Sequence, residues 1–469
     1  MKKIIAILLA LGMSFSLCAC SEELSKEEQN IGKTKGSLEN SNDKSQSEEQ
    51  GSNQDKIGSN LHFLTSDENP NCYTENGYYY LSGPEKLSDG SYGYQLMYMD
   101  FATAQEIYLC NNAGCTHNTP DCPAVFLEKD NFSIFTLAFT HKDGLYFLTK
   151  DGDMDGTLVQ EIIMDDSVPI ETESRPTVLW RANLDGTNRE KIYTFDSSVI
   201  LEDSIWADDR GIYVITKKLS AEKTEEGTYT TSSERKLVYL NLETLEEKMI
   251  CSLEFEEDYS WKVMGCYDGT IVMKGIDYGR EVTSQELFDD DGYKELAENS
   301  EDVIATVDLN TGKLTEKYRI SNKEEHSVIT KDNILYLSYG KEGSIKSINL
   351  DSGEEEELCK LENCWLYKTL DDKLCCTAWD LASDPTYYYV DIHTGEISHS
   401  GLVNKFTGWS LEFLVELEND VLVIYDNKGI KNPDGSYELT WNQYGLISKS
   451  DLFNGVDNFR KIEMIKGGV

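Results

Sequence analysis

The stretch Leu179-Trp180-Arg181-Ala182-Asn183-Leu184-Asp185-Gly186-Thr187 reads as an apolar strand, a tight Asp-Gly turn and the start of a returning strand. Asp-Gly and Asn-Gly pairs flanked by alternating apolar residues are the strongest short-range signal for a β-hairpin. The same piece returns as Val238-Tyr239-Leu240-Asn241-Leu242-Glu243-Thr244, as Thr306-Val307-Asp308-Leu309-Asn310-Thr311-Gly312, as Ser347-Ile348-Asn349-Leu350-Asp351-Ser352-Gly353 and as Val390-Asp391-Ile392-His393-Thr394-Gly395. A second half-unit, a turn before an apolar run, lies between the copies. It reads Glu75-Asn76-Gly77 before Tyr78, Lys142-Asp143-Gly144 before Leu145, Asp209-Arg210-Gly211 before Ile212, and Tyr267-Asp268-Gly269 before Thr270. It continues as Lys331-Asp332-Asn333 before Ile334, Asp371-Asp372 before Lys373, and Glu418-Asn419-Asp420 before Val421. The halves alternate strictly, so each unit is two hairpins, or four antiparallel strands. About seven units span the chain, with six or eight as the neighbouring counts, and this predicts an all-β fold, a β-propeller of four-stranded blades. The first unit (Tyr78, then Met97-Tyr98-Met99) and the last (Val421, then Leu446-Ile447-Ser448) are degenerate, as ring-closing blades tend to be.

Residues 178–195 resemble a repeat of the TolB-like or YWTD-like propellers, of the kind found in surface lipoproteins of anaerobic Gram-positive bacteria. The resemblance covers most of residues 70–465. Its motifs are structural, so it implies the fold and carries no catalytic residue onto any position of this chain.

The first twenty residues point to export. Lys2-Lys3 precede an apolar run from Ile4 to Phe15 that is too short for an ordinary spanning helix. Leu17-Cys18-Ala19-Cys20 follows, and the small Ala19 makes Cys20 the better lipidation site, since bulky Leu17 precedes Cys18. The segment resembles a bacterial lipoprotein signal, which implies a signal peptide over residues 1–19 and a diacylglyceryl group on Cys20. Two acyl chains hold a protein on a membrane durably, where one binds only marginally. The rest of residues 20–60 is rich in Ser, Glu, Asn, Lys and Gln and has no aromatic residue, which predicts a disordered tether. The propeller is expected over residues 61–469. The cell membrane's extracytoplasmic face is the expected location, and a monomer the expected state.

The formal charge is −42, and signal removal also removes two lysines. A field of this sign repels nucleic acid and anionic membrane surfaces while attracting divalent cations and basic peptides, or it serves solubility alone. In a propeller the A–B and C–D turns emerge on one face and the B–C loops and blade-to-blade crossovers on the other. Here the turns of the first face are tight. Long B–C connections are expected over 82–93, 150–177, 217–235, 275–302 and 426–442, which places binding on that face unless the lengths reflect neutral insertion.

Two polar segments fall on the long-loop face. Asp151, Asp153 and Asp155 alternate around Gly152 and could converge on calcium, although the helical calcium-loop pattern fails at its twelfth position, Ile162, with Glu161 beside it. An ordinary Asp/Gly turn is the competing reading. Cys110, Cys115, His117 and Cys122 share one crossover. Their spacing matches no standard zinc finger, and with Cys72 they could instead form two disulfides, as exported cysteines commonly do. Zinc is the lesser reading and free thiols remain open, since an anaerobic source weakens the case for oxidation. No cofactor is certain.

Trp206, Trp261, Trp365 and Trp409 are expected on innermost strands, as core or as sugar-stacking platforms. No Gly-x-Ser-x-Gly elbow, phosphate loop or His-Glu-x-x-His occurs, and the six histidines are dispersed. The expected function is therefore non-catalytic binding of a glycan, peptide or partner protein on the long-loop face. A glycoside hydrolase or lyase acting on polysaccharide, with acids drawn from different blades, is the first alternative. An envelope assembly or scaffold factor is the second.

Overall fold

An Asp or Asn at the end of a unit's third strand fixes the hairpin that follows. Asp308 Oδ1 accepts from the N–H groups of Asn310 and Thr311, Asn349 Oδ1 from those of Asp351 and Ser352, and Asp391 Oδ1 from those of His393 and Thr394. Such Asx bonds explain why the repeat carries an Asx residue there. Gly312 then turns the chain at φ 68°. A Cβ on Gly312 would lie 2.2 Å from the Ile250 carbonyl oxygen on the outer strand of the preceding unit, so this glycine is required by both its backbone and its neighbour.

A computed structural model of the chain describes residues 58, 60–66, 70–133, 135–149, 176–202, 204–223, 229–253, 261–280, 282, 295–378, 386–432 and 436–465. Their strands form seven antiparallel sheets in chain order, each a blade with strands A to D from the centre outward. Blade 1 comprises Tyr73–Thr74, Gly77–Leu81, Tyr92–Asp100 and Gln105–Tyr108; blade 3 comprises Ser204–Ala207, Gly211–Lys223, Tyr229–Asn241 and Glu247–Ser252. Blade 5 is the most regular, with His326–Lys331, Ile334–Tyr339, Ser344–Asn349 and Glu355–Lys360. Blade 7 ends the ring with Glu412–Glu416, Asp420–Lys431, Tyr437–Ser448 and Arg460–Lys461. Blades 2, 4 and 6 run from Leu137–His141 to Glu190–Thr194, from Lys262–Tyr267 to Lys313–Ser321, and from Cys364–Leu370 to Ile397–Ser400.

Each pair of adjacent blades shares one apolar cluster, including blades 7 and 1, where Tyr78, Met99 and Phe101 meet Leu422, Tyr444 and Ile462. The ring is also closed by hydrogen bonds. The Glu106 N–H donates to the Glu463 carbonyl and the Glu463 N–H to that of Ala104, while the buried Glu106 carboxylate accepts from Tyr80 Oη and from the Ile465 N–H.

One strand lies outside the repeat. β1, His62–Ser66, pairs antiparallel with the innermost strand of blade 3, His62 opposite Ala207 and Ser66 opposite Ser204. It also packs beside the innermost strands of blades 2 and 4, and so runs along the channel wall. Leu64 is buried in the cluster between blades 2 and 3, and the Phe63 ring meets Trp206 edge-on at 5.2 Å. The entry point is fixed at the tight-turn face. The Gly58 N–H donates to Asp208 Oδ2 at 2.9 Å and Asn60 Nδ2 to Asp209 Oδ1 at 3.0 Å, both in the A–B turn of blade 3. The Asp208 carboxylate is buried and also accepts from the N–H groups of Arg210 and Gly211 and from Tyr213 Oη.

Two expected long loops are strands instead. Gly211–Lys223 and Tyr229–Asn241 stay paired as far as Lys223 opposite Tyr229, and Asp420–Lys431 and Tyr437–Ser448 as far as Lys431 opposite Tyr437. The described residues of 217–235 and 426–442 thus continue the second and third strands of blades 3 and 7 as paired arms. Polar side chains suit such an arm because neither of its faces need be buried.

A soluble chain lacking residues 1–66 should be about 3–5 kcal/mol less stable to urea than one lacking residues 1–53, because it loses the buried Leu64, the Phe63–Trp206 contact and the β1 pairing. Equal unfolding midpoints for the two chains would show that β1 adds nothing to the ring.

Candidate functional site

The outer strand of blade 1 is interrupted. Its third strand, Tyr92–Asp100, pairs with Gln105–Tyr108 along one half and with Val125–Leu127 along the other. The chain between leaves the blade and returns to the same point: the Leu96 carbonyl accepts from the Leu109 N–H at 3.0 Å, and the Leu96 N–H donates to the Ala124 carbonyl at 2.7 Å. Leu96 is therefore the neck of a closed loop that holds Cys110, Cys115, His117 and Cys122.

The four side chains converge. Their sulfur and ring-nitrogen atoms all lie within 4.8 Å of one another, and Cys122 Sγ is 3.6 Å from His117 Nδ1. Tyr108 stacks on the His117 ring, with centroids 4.4 Å apart and planes 14° apart. Leu87, Ala124, Val125 and Leu127 form an apolar floor. The N–H groups of His117 and Ala124 point at the sulfurs of Cys115 and Cys122 respectively. The His117 N–H draws the Cys115 thiol below its ordinary value, and burial pushes Cys122 up to about 12. The Ser88 N–H donates to the Asn118 carbonyl at 2.9 Å, tying the loop to the B–C connection of blade 1.

Cys72 is not part of this group; it is buried between blades 1 and 2, where desolvation raises its thiol well above the ordinary range. The ten described cysteines are all thiols. Cys375 and Cys376 point opposite ways, into the clusters of blades 6/7 and 5/6 respectively. Cys20, Asp151, Asp153 and Asp155 lie outside the described residues.

The tryptophans separate by environment. Trp206 and Trp261 are buried in the cluster between blades 3 and 4. Trp365 lies half-buried on the innermost strand of blade 6. Trp409 is not on an innermost strand; it sits in the crossover from blade 6 to blade 7 and is 58% exposed. That crossover is strapped to the blade 7 arm. Asn404 Nδ2 donates to Asn427 Oδ1 and Asn427 Nδ2 to Asn442 Oδ1, both at 2.7 Å, and Tyr437 Oη donates to the Thr407 carbonyl at 3.0 Å. Phe406 packs on Tyr437 at 5.7 Å, and Lys431 lies over both rings. Sequence reading missed this patch because Phe406, Tyr437 and the three asparagines sit in irregular or polar segments with no periodicity.

A second polar centre, on blade 4, was equally invisible in sequence. Asp302 is buried and accepts from His326 Nε2 at 3.1 Å and Asn322 Nδ2 at 3.3 Å, and it pairs with Lys274. Beside it is a polar cleft of about 200 Å³ lined by Asp277, Asn299, Ser300, Glu301 and Lys323. Burial alone would raise the Asp302 carboxyl, but His326 and Lys274 outweigh it and hold the group below its ordinary value. Asp302→Asn should cost about 3 kcal/mol near neutral pH, because it removes the buried carboxylate with which Lys274 and His326 pair. A depressed carboxylate stabilises the fold above its unfolded pKa, and that stability is lost as pH falls through the folded one. The urea midpoints of variant and parent should therefore differ near pH 7 and converge below about pH 4; a constant difference would mean that Asp302 contributes shape rather than charge.

No family model matches the sequence, and no curated protein matches it. Among solved structures, the chain is similar to an oligogalacturonate lyase in complex with manganese, with 13% identity, 87% of this chain and 86% of that chain covered, and a TM-score of 0.40. A puromycin-hydrolyzing peptidase of Mycobacterium tuberculosis gives 11% identity and a TM-score of 0.45 over 87% of this chain, which spans 53% of that protein. TolB from Acinetobacter baumannii gives 10% identity, 84% and 80% coverage, and a TM-score of 0.33. The seven blades stand on this chain's own sheets.

Proposed function

We propose that this chain is a lipid-anchored, extracytoplasmic propeller that binds a glycan, without chemistry, on the face carrying its long connections and arms. The observation that carries this reading is the polarity of chain entry. Gly58 and Asn60 are fastened to the A–B turn of blade 3, and β1 runs from there towards the opposite face. A tether from Cys20 would hold the tight-turn face and leave the loop face open to ligand.

On that open face Trp409, in the same crossover as Phe406, supplies a flat apolar surface for a sugar ring's C–H groups. Lys428 and Lys431 lie over neighbouring aromatic rings and supply donors for hydroxyl or carboxylate groups, while Lys405, over Tyr425, is paired with Asp457.

Two outcomes test the reading. Cys20→Ala should move the protein from the membrane fraction to the soluble one while Cys18→Ala does not, and retention of the Cys20 variant on the membrane removes the anchor from the proposal. With soluble chain lacking residues 1–53, Trp409→Ala should weaken binding to envelope polysaccharide by about 10-fold, or roughly 1.4 kcal/mol, without changing the melting temperature. Unchanged affinity excludes this patch, and shortened sugar chains in the binding mixture would establish the hydrolase or lyase instead.

A further inference from the structure

We infer that Cys110, Cys115, His117 and Cys122 form a structural zinc site that clamps the outer edge of blade 1. The inference is independent of what the loop face binds. A tetrahedral ion with Zn–S of about 2.3 Å and Zn–N of about 2.0–2.1 Å requires its sulfur and nitrogen ligands to sit about 3.6 Å apart. Cys122 Sγ and His117 Nδ1 are 3.6 Å apart, and no two of the four ligand atoms are more than 4.8 Å apart, so small side-chain movements would bring all four onto one ion. Three thiols and one imidazole fill four positions and leave none for water or substrate, which marks a closed structural centre rather than a catalytic one.

The surroundings point the same way. Metal-bound histidines are held by their second contacts, and thiolate ligands accept backbone N–H groups. Here Tyr108 fixes the His117 ring by stacking, and the His117 and Ala124 N–H groups face the Cys115 and Cys122 sulfurs. His117 itself takes φ 56°, a left-handed conformation that folds its ring back over the thiols. A disulfide accounts for the site less well. Any one S–S bond would consume two thiols and leave the third beside an imidazole with no role, and Cys72, which could have made the number even, is buried between blades 1 and 2. Oxygen-preferring ions are excluded by the donor set, since sulfur and imidazole select zinc among abundant divalent metals of tetrahedral habit. Binding deprotonates the three thiols and releases their protons to solvent; no redox step is involved.

The clamp has a mechanical consequence. The loop leaves and returns at Leu96, directly after the strand segment that carries the ring-closing contacts of Ala104 and Glu106 with Glu463. An ion would join the two halves of the divided outer strand through side chains where the backbone ladder is broken.

The experiment uses soluble chain lacking residues 1–53, purified without added reductant or chelator, with zinc counted by elemental mass spectrometry and cobalt as spectroscopic probe. One zinc per chain is expected, retained through gel filtration, together with tetrahedral thiolate–cobalt absorption on exchange. Cys122→Ser and Cys115→Ser should lose the ion. Cys72→Ser should keep it. His117→Cys, which preserves four ligands, should bind one ion with a shifted cobalt spectrum, guarding against variants that merely misfold. Chelation should lower the melting temperature of the parent and leave that of Cys122→Ser unchanged. Less than 0.1 zinc per chain, an ion bound equally by Cys122→Ser, or a denatured mass two hydrogens short with a Cys110–Cys115, Cys110–Cys122 or Cys115–Cys122 peptide link would each overturn the assignment.

Discussion

Every blade of this ring is apolar on both faces, and no blade can bury either face alone. Cys375 and Cys376 state the constraint in two residues: neighbours on one strand, fully buried, they face different interfaces and different partner blades. A sheet so built needs two neighbours, each neighbour needs another, and only a closed ring satisfies all of them. The final interface falls between chain ends far apart in sequence, where apolar packing alone is joined by a hydrogen-bonded seam. The buried Glu106 carboxylate gathers Tyr80 and the Ile465 backbone there, and Arg460 donates to the Phe101 carbonyl.

The same constraint decides where sequence can vary. Strand middles are committed to interfaces, and two C–D turn glycines abut the preceding outer strand, Gly312 against Ile250 and Gly395 against Leu358. Insertions are therefore free only at the other ends of the strands, where the arms of blades 3 and 7 and the crossover bearing Trp409 are found. The tight-turn face is occupied instead by the incoming chain, whose β1 strand uses the inner edge of blade 3 that the repeat leaves unpaired. Chain entry at Gly58 and Asn60 and the extended strand pairs of blades 3 and 7 thus lie at opposite ends of the strands, whatever the ligand.

The blades were readable from sequence because their signals are local: an Asx residue, a glycine two to four positions on, and alternation over one hairpin. β1 was not readable because Phe63 pairs with Trp206, and a run of five strand-like residues without an adjacent turn names no partner. The arms were read as loops because alternation fades once neither face meets a neighbour. Trp409 lies outside the innermost strand expected for it, because the Asn404–Trp409 turn ends the crossover just before that strand begins at Glu412. For the cysteine loop, the four ligand types and their common segment could be seen, but not their convergence. Convergence depends on the Leu96 neck, a backbone contact with a strand that sequence spacing does not reveal, and it also removes Cys72, which sequence counting had admitted.

Blade 1 is where a clamp would matter most. Its innermost strand has only the two residues Tyr73–Thr74, and its outer strand is divided into Gln105–Tyr108 and Val125–Leu127. Yet this outer strand carries the closing contacts with Glu463, so fraying there opens the ring as a whole, whereas fraying of an outer strand elsewhere is confined to one blade. Regular blades resist fraying by an uninterrupted ladder. In blade 1 that ladder is interrupted at Leu96 before it resumes with Val125–Leu127, and at the break stands a closed loop with an apolar floor, three thiols, a stacked histidine and a tie to Ser88. Cross-linking this loop through its side chains would restore to the weakest edge the continuity that its backbone gave up, and would do so beside the B–C connection that forms blade 1's share of the loop face.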